Sequence, residues 1–162
     1  MNYVGHKISG QGVQPLQSNI KAVLEIPEPT NVKELQRFFG AANYYHKFIP
    51  HYSDLTIPMR ILLKSDSEWN FNDKCKIAFD NIKQALTNSP VLAHFDTFAS
   101  TIVTCDASAE ALGAVLSQMQ GGEDRPIAYA SRALSPAEKK YSVSEREALA
   151  CIWSCEHWHY YR

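Results

Sequence analysis

Two carboxylates in the second half of the chain could hold divalent metal ions. Asp106 ends the apolar, β-branched segment 101–105, and Glu147 lies near the start of a helix-like segment, 144–150. Mg²⁺ prefers oxygen ligands, and two such ions about 3.5–4 Å apart can activate water and stabilise the leaving oxygen in phosphodiester hydrolysis. Because such a site needs three or four carboxylates, Asp106 and Glu147 predict only part of it.

Each of these carboxylates also has an ordinary structural interpretation. Glu147 could close a capping box with Ser144, whereas a box between Ser142 and Glu145 would leave Glu147 free to bind a ligand. Asp106 could accept a hydrogen bond from the turn that follows its strand. The spacing of the residues leaves these alternatives open.

Three potential zinc ligands recur four residues apart near the end of the sequence: Cys151, Cys155 and His159. On a helix they would share one stripe and could converge on Zn²⁺. Apolar residues such as Ile152 and Trp158 share much of that side, so we favour cysteines that pack as small buried hydrophobic side chains. The four cysteines of the chain are not spaced like a secreted disulfide framework, which predicts a reduced, intracellular protein.

The charges of the chain are distributed unevenly, although the formal net charge is only -1. Residues 1–64 carry seven Lys/Arg against four Asp/Glu, and residues 65–162 carry nine against thirteen. A basic N-terminal part and an acidic C-terminal part fit a nucleic-acid contact followed by a carboxylate metal site. A chance distribution of surface charges explains the same counts equally well.

Three basic side chains, Lys33, Arg37 and Lys47, lie on or near the polar side of a predicted helix whose other side is aromatic. Lysine and arginine bind phosphates without reading sequence, so these residues are the candidates for a nucleic-acid contact. The aromatic residues could stack on bases, but their helical spacing favours packing in the core. They are Phe38, Phe39, Tyr44, Tyr45 and Phe48.

The composition predicts a folded protein without a membrane segment. Hydrophobic residues make up 45% and charged residues 20% of the 162 residues, which permits a packed core and argues against disorder. The sequence has no run of about 18 apolar residues, and residues 1–7 lack a signal-peptide pattern. We expect no membrane partner, and both cytoplasm and nucleus remain open.

Periodicity predicts helices in the first part of the chain and strands in the second. Pro50 is expected to end the helix that Asn31 caps, and the most suitable boundary between the two parts lies between Leu86 and Ser100. The predicted elements are a hairpin (3–14), helices (16–26, 31–49, 53–63 and 72–86), strands (101–105, 112–118 and 126–131) and a long helix from about Val143.

Several stretches together resemble the pol polyprotein of long-terminal-repeat retrotransposons of the Ty3/gypsy type. Residues 4–13 and 31–49 resemble the segment after the palm of the reverse transcriptase, and residues 69–95 are similar to its connecting segment. Four further stretches resemble the front half of the ribonuclease H domain of the same polyprotein. They are Asp106-Ala107-Ser108, Gly113-Ala114-Val115-Leu116-Ser117-Gln118, Ser131-Arg132 and Glu145-Arg146-Glu147-Ala148-Leu149-Ala150.

The resemblance implies an α+β fold and a division of the chain into three parts. Residues 1–64 would form a reverse transcriptase thumb-like hairpin and helices, 65–98 a connection segment, and 99–162 a partial ribonuclease H-like domain. The small helical thumb/connection unit would accompany a truncated three-stranded antiparallel sheet that is packed by one long helix.

The resemblance also implies the parent chemistry, which is RNA-directed DNA synthesis coupled to cleavage of RNA–DNA hybrids. Asp106 and Glu147 would be catalytic ligands of Mg²⁺ or Mn²⁺, and Lys33, Arg37 and Lys47 would contact nucleic acid. The expected partners are an RNA–DNA hybrid or template–primer duplex and the remainder of the pol polyprotein, namely palm, fingers and the C-terminal part of ribonuclease H.

Two motifs of the resembled family are missing from the sequence. One is the polymerase signature of a tyrosine, a variable residue and two aspartates, and the other is the Thr-Asp-His motif of ribonuclease H. We therefore expect the chain alone to be catalytically incomplete and to bind Mg²⁺ weakly or not at all. The alternatives are a remnant, a domesticated non-enzymatic module that binds nucleic acid or protein, and a nuclease that another chain completes.

Overall fold

The N-terminal hairpin is part of a small antiparallel sheet. The computed structural model describes residues 1–161, and its first strands are β1 (Asn2–Tyr3), β2 (His6–Ser9) and β3 (Gly12–Pro15), in the order β1-β2-β3. The hairpin predicted around residues 9–12 is thus confirmed, with one additional short strand. Paired hydrogen bonds between Val13 and Leu92, 2.7 and 2.8 Å long, tie it to the segment before the second sheet.

Four helices follow: α1 (Gln17–Leu24), α2 (Val32–Asn43), α3 (Tyr52–Arg60) and α4 (Asp73–Thr87). Their caps agree with the sequence, because the Asn31 side chain accepts a hydrogen bond from Glu34 N at 3.0 Å and the Asn72 side chain accepts one from Cys75 N at 3.2 Å. Glu34, however, turns to Thr30 N and Oγ1 and does not close the box on Asn31 itself.

Helix α2 ends six residues before the predicted end at Ile49. The chain continues as a 3₁₀ turn, His46–Phe48, in which Phe48 is fully buried and Ile49 follows it into the core. This tighter turn places both side chains in the cluster that α2 forms with α3 and α4. The largest buried members of this cluster include Leu35, Phe38, Phe48, Ile49, Met59, Ile82 and Leu86.

The second sheet confirms the predicted three antiparallel strands and the α+β class. Its strands are β4 (Thr101–Ala107), β5 (Ala111–Gln120) and β6 (Glu123–Ala133), in the order β4-β5-β6. Pro126 lies inside β6 and not at its start, and the register slips at the opposite residues Leu116 and Ser117. A proline cannot donate to the ladder, which explains why the irregularity occurs there.

The two faces of this sheet have different neighbours. Helix α5 (Val143–His157) packs against one face, where Ala150 and Trp158 meet Leu112 and Leu116. The helical unit packs against the other face, where Ser53 N donates to Ser131 Oγ at 2.8 Å. Within residues 1–161, no helix has the length and hydropathy needed to cross a membrane.

Candidate nucleic-acid and metal site

Asp106 lies at the end of β4 on the face of the sheet that is turned toward the helical unit. It pairs with Gly113 on β5, which pairs with Ser131 on β6, so all three positions share one face. Ser131 is bonded to Ser53 of α3 on that face. The Asp106 carboxylate is exposed, and its Oδ1 accepts a hydrogen bond from Ala107 N at 2.9 Å.

His51 is a neighbour of Asp106 that no sequence motif indicates. Its backbone is left-handed (φ +51°), and its ring packs over Gly113, where an added Cβ would lie 2.8 Å from His51 Nδ1. Together with Asp106, Thr104 and Tyr129, His51 lines a small cavity of about 130 Å³. The only local signal was a glycine inside a strand, which marks a close approach without naming the partner.

Glu147 does not take part in the cap of α5. Ser142 Oγ accepts from Glu145 N at 3.3 Å, and the Glu145 carboxylate accepts from Ser142 N at 2.7 Å. The capping box is therefore Ser142–Glu145 and not Ser144–Glu147. The exposed Glu147 carboxylate is free of the helix terminus, as the metal-ligand interpretation requires.

Arg146 joins the two elements that carry the candidate carboxylates. Its Nη1 donates to Ser108 O at 3.1 Å, so the first turn of α5 contacts the turn after β4. Asp106 is two residues from this contact and Glu147 is one residue from it. Ser108 Oγ in turn donates to Asp54 of α3 at 2.7 Å, which connects the same turn to the helical unit.

The donor set within residues 1–161 does not fit a complete two-ion site. No group of three or more histidine, cysteine, aspartate or glutamate side chains in this range is arranged to hold a metal ion. The zinc alternative also lacks its geometry, because α5 ends at His157 and His159 follows in a 3₁₀ turn, with Nδ1 2.7 Å from Glu156 O. Cys151, Cys155 and His159 thus do not form one helical stripe.

The prediction that Cys151 and Cys155 are buried is wrong, since both are exposed. Ala150 and Ser154 of helix α5, and Trp158 directly after it, are turned toward the sheet, and the cysteines therefore flank the buried stripe. Cys151 Sγ lies 3.0 Å from Cys105 Sγ on β4. Burial, with a smaller contribution from the hydrogen bond to Cys151, raises the pKa of the Cys105 thiol to about 11.

The three candidate basic residues are divided between two places. Lys33 and Arg37 are exposed on α2 and line a shallow concavity with Asn31 and Glu34. Lys47 lies beyond the other end of α2, where its Nζ is 5.3 Å from the centre of the Phe48 ring. Burial lowers the pKa of Lys47.

Most of the aromatic side chains pack in the core, as the helical spacing predicts. Phe38, Phe39, Tyr45 and Phe48 are buried, and only Tyr44, at 44% exposure, is accessible. The Tyr44 hydroxyl is bonded to the carbonyl of Val4 in the β1–β2 turn. Base stacking by the four buried rings is therefore excluded in this fold.

Comparison with known proteins gives a consistent set of relatives. A family model described as an RNase H-like domain found in reverse transcriptase matches residues 71–162. The Tf2-3 and Tf2-4 transposon polyproteins of Schizosaccharomyces pombe are 44% identical over 162 residues, which is 99% of this chain. The chain spans 12% of the length of these curated relatives.

Two solved structures of a foamy viral protease–reverse transcriptase share the fold. The match to the complex with double-stranded DNA has a TM-score of 0.84 and 24% sequence identity. It spans 97% of this chain and 28% of the viral chain. The match to the complex with an RNA/DNA hybrid has a TM-score of 0.81 and 22% sequence identity. It spans 97% of this chain and 21% of the viral chain. At this level of identity the likeness concerns the fold.

Proposed function

Because the chain belongs to the family of RNase H-like domains found in reverse transcriptases, we propose that it forms the part of a retrotransposon polyprotein that joins polymerase and nuclease. In this proposal residues 1–64 correspond to the thumb, 65–98 to the connection and 99–162 to the front half of ribonuclease H. The continuous 44% identity to transposon polyproteins over 99% of the chain supports it. The same continuity favours a polyprotein segment over a separate binding module.

The proposed role of the helical unit is to hold an RNA–DNA hybrid or template–primer duplex by its phosphates. The observation that carries this role is the exposure of Lys33 and Arg37 on the side of α2 opposite the buried Leu35 and Phe38. The nearby Glu34 carboxylate is occupied by Thr30 N and Oγ1, 2.7 and 2.9 Å away. Lys47 is proposed as a separate contact at the other end of the helix. The duplexes in the foamy viral complexes are in keeping with such a partner.

The test is a titration of the chain with a short, fluorescently labelled RNA–DNA hybrid at several salt concentrations. Replacing both Lys33 and Arg37 by alanine is expected to weaken binding and to reduce the slope of log affinity against log salt by about two. Lys21→Ala is the matched control, because Lys21 is an exposed helix lysine that lies 3.8 Å from the Glu25 carboxylate. An unchanged affinity in the double variant, or an equal loss in the control, would contradict the role of α2.

We further propose that Asp106 and Glu147 are the contribution of this segment to a divalent-metal nuclease site. Bound Mg²⁺ or Mn²⁺ would supply Lewis-acid stabilisation of charge on the phosphate. The contact of Arg146 with Ser108 supports a shared site, since it holds the start of α5 beside the turn after Asp106, although Asp106 itself lies on the sheet face turned toward the helical unit. Because the donors of residues 1–161 are too few for two ions, we expect these residues alone to bind Mg²⁺ weakly or not at all.

This second role is best tested in the polyprotein that contains the segment. Asp106→Asn should abolish cleavage of the RNA strand in a hybrid, while DNA synthesis from a primer continues. Glu110→Gln is the control, because Glu110 lies four residues further on and is paired with Lys139. Hybrid cleavage that persists in Asp106→Asn would exclude Asp106 as a metal ligand.

A further inference from the structure

We propose that Cys105 and Cys151 are a redox modification site, at which a disulfide oxidant such as glutathione disulfide forms a reversible cross-link between β4 and α5. The two cysteines are 46 residues apart in sequence and lie on different elements, and their Sγ atoms are 3.0 Å from each other. A disulfide bond is about 2.05 Å long, so the two sulfurs need to approach by only about 1 Å. The proposal goes beyond the nucleic-acid and metal roles and does not depend on them.

The other two cysteines of the chain are poorly placed for the same reaction. Cys75 is buried in the helical core, where its Sγ donates to Pro58 O at 3.4 Å. Cys155 is exposed one turn after Cys151 on the same helix. Residues four apart on a helix have Cβ atoms about 5–6 Å from each other, whereas a disulfide requires about 3.5–4.5 Å. The folded chain therefore selects Cys105 as the partner of Cys151.

Accessibility sets the order of the two exchange steps. The exposed Cys151 thiolate attacks one sulfur of glutathione disulfide, whose S–S bond breaks to release the first glutathione and leave a mixed disulfide on Cys151. The Cys105 thiol then loses its proton to solvent. Its Sγ attacks Cys151 Sγ and displaces the second glutathione. Two protein thiols are thereby oxidised, and one glutathione disulfide is reduced to two glutathione molecules.

The cross-link would join the strand that ends at Asp106 to the helix that carries Glu147, one turn before Cys151. A bond between these elements limits how far they can separate and closes a long loop in the unfolded chain. Oxidation is therefore expected to raise the denaturant concentration at which the second sheet unfolds. An excess of reduced glutathione should restore the original midpoint.

The experiment equilibrates the reduced chain with mixtures of oxidised and reduced glutathione, blocks the remaining thiols by alkylation and determines masses of the chain and its peptides. Because the buried Cys75 does not react in the folded chain, the alkylatable thiols should fall from three to one, with Cys105 and Cys151 in one cross-linked peptide. Cys155→Ser, the matched control, should retain this cross-link. Cys151→Ser should lose it and leave Cys105 alkylatable. The unreactive Cys75, at 2% exposure, reports that each variant is folded.

A repeat in concentrated guanidinium chloride separates the effect of the fold from that of sequence proximity. In the unfolded chain the closely spaced Cys151 and Cys155 should become the principal pair, because the shortest loop closes most readily. The proposal would be overturned if the folded chain gave only glutathione adducts or a Cys151–Cys155 bond. It would also be overturned if Cys105 were consumed equally in Cys151→Ser.

Discussion

Gly12 allows the N-terminal sheet to approach the segment before the second sheet closely. Its φ is +141°, a conformation open to glycine, and the Leu92 carbonyl occupies the place where a Cβ would be. The neighbouring Val13 exchanges two hydrogen bonds with Leu92. A side chain at position 12 would therefore strain its own backbone and push two chain segments apart.

We predict that Gly12→Ala lowers the free energy of unfolding by about 3 kcal/mol or more, because backbone strain and steric overlap add. Gly10→Ala in the same turn is the control, since an added Cβ meets no atom within 4 Å there. Gly10→Ala should change the free energy of unfolding by no more than about 0.5 kcal/mol. Urea denaturation of both variants measures the difference, and similar midpoints would contradict the packing at Leu92.

Glu138 makes stability depend on pH. Hydrogen bonds from Arg132, 2.8 and 2.9 Å long, and from Ser135 N hold the pKa of its carboxyl at about 2, below the ordinary value of 4.5. A pKa that is lower in the folded state stabilises the fold above pH 4.5, and this contribution is lost as the pH falls toward 2.

We therefore predict that Glu138→Gln is less stable than the parent chain near neutral pH, and that the difference narrows between pH 4.5 and 2. The free energy of unfolding, measured by denaturant titration across this range, provides the test. Parallel pH profiles for parent and variant would show that Glu138 does not titrate with folding.

At the scale of elements, the helix starts followed from the sequence, whereas the buried face of α5 did not. Asn31, Asn72 and Ser142 cap their helices through hydrogen bonds that span three residues, so the local sequence contains the whole interaction. Helix α5 carries apolar residues on several sides, among them the exposed Ile152 and the buried Ala150. Periodicity alone could therefore not select the stripe that meets the sheet. For this reason the predicted burial of Cys151 and Cys155 is wrong.

The cap of α5 gives a matched pair of variants. Ser142→Ala should lower the free energy of unfolding by about 1 kcal/mol, because Glu145 N loses its acceptor. Ser144→Ala, in the first turn of the same helix, should change it by less than about 0.5 kcal/mol. Thermal and denaturant unfolding can compare the two, and a larger loss at Ser144 would restore the rejected capping box.

At the scale of the whole molecule, the central sheet is held between the helical unit and α5. The contact with the helical unit depends on polar groups as well as on packing, since Ser53 is 4% exposed and its backbone N–H finds its acceptor in Ser131, 78 residues away. Ser131 Oγ also donates to Ser53 Oγ at 3.1 Å. One hydroxyl on β6 thus satisfies two groups at the start of α3.

We predict that Ser131→Ala destabilises the chain by about 1–3 kcal/mol, because it leaves the buried Ser53 N–H without an acceptor. Ser131→Thr retains the hydroxyl and should preserve most of the stability. Hydrogen exchange at Ser53 is the direct measurement, and it should accelerate in the alanine variant alone. Equal exchange in the parent and Ser131→Ala would mean that another acceptor replaces the hydroxyl.

The sequence by itself determined the α+β class, the order of helices and strands, most helix starts and the family resemblance. These properties depend on hydrophobic period, on caps that span three residues and on motifs read along the chain. It also nominated Asp106 and Glu147, whose role in metal binding remains a prediction.

Only the tertiary structure decided which side chains meet across the fold. It placed His51 over Gly113, separated Lys47 from Lys33 and Arg37, and brought Cys105 to Cys151. Such contacts form between elements that packing brings together from distant parts of the chain, so no local pattern of residues records them.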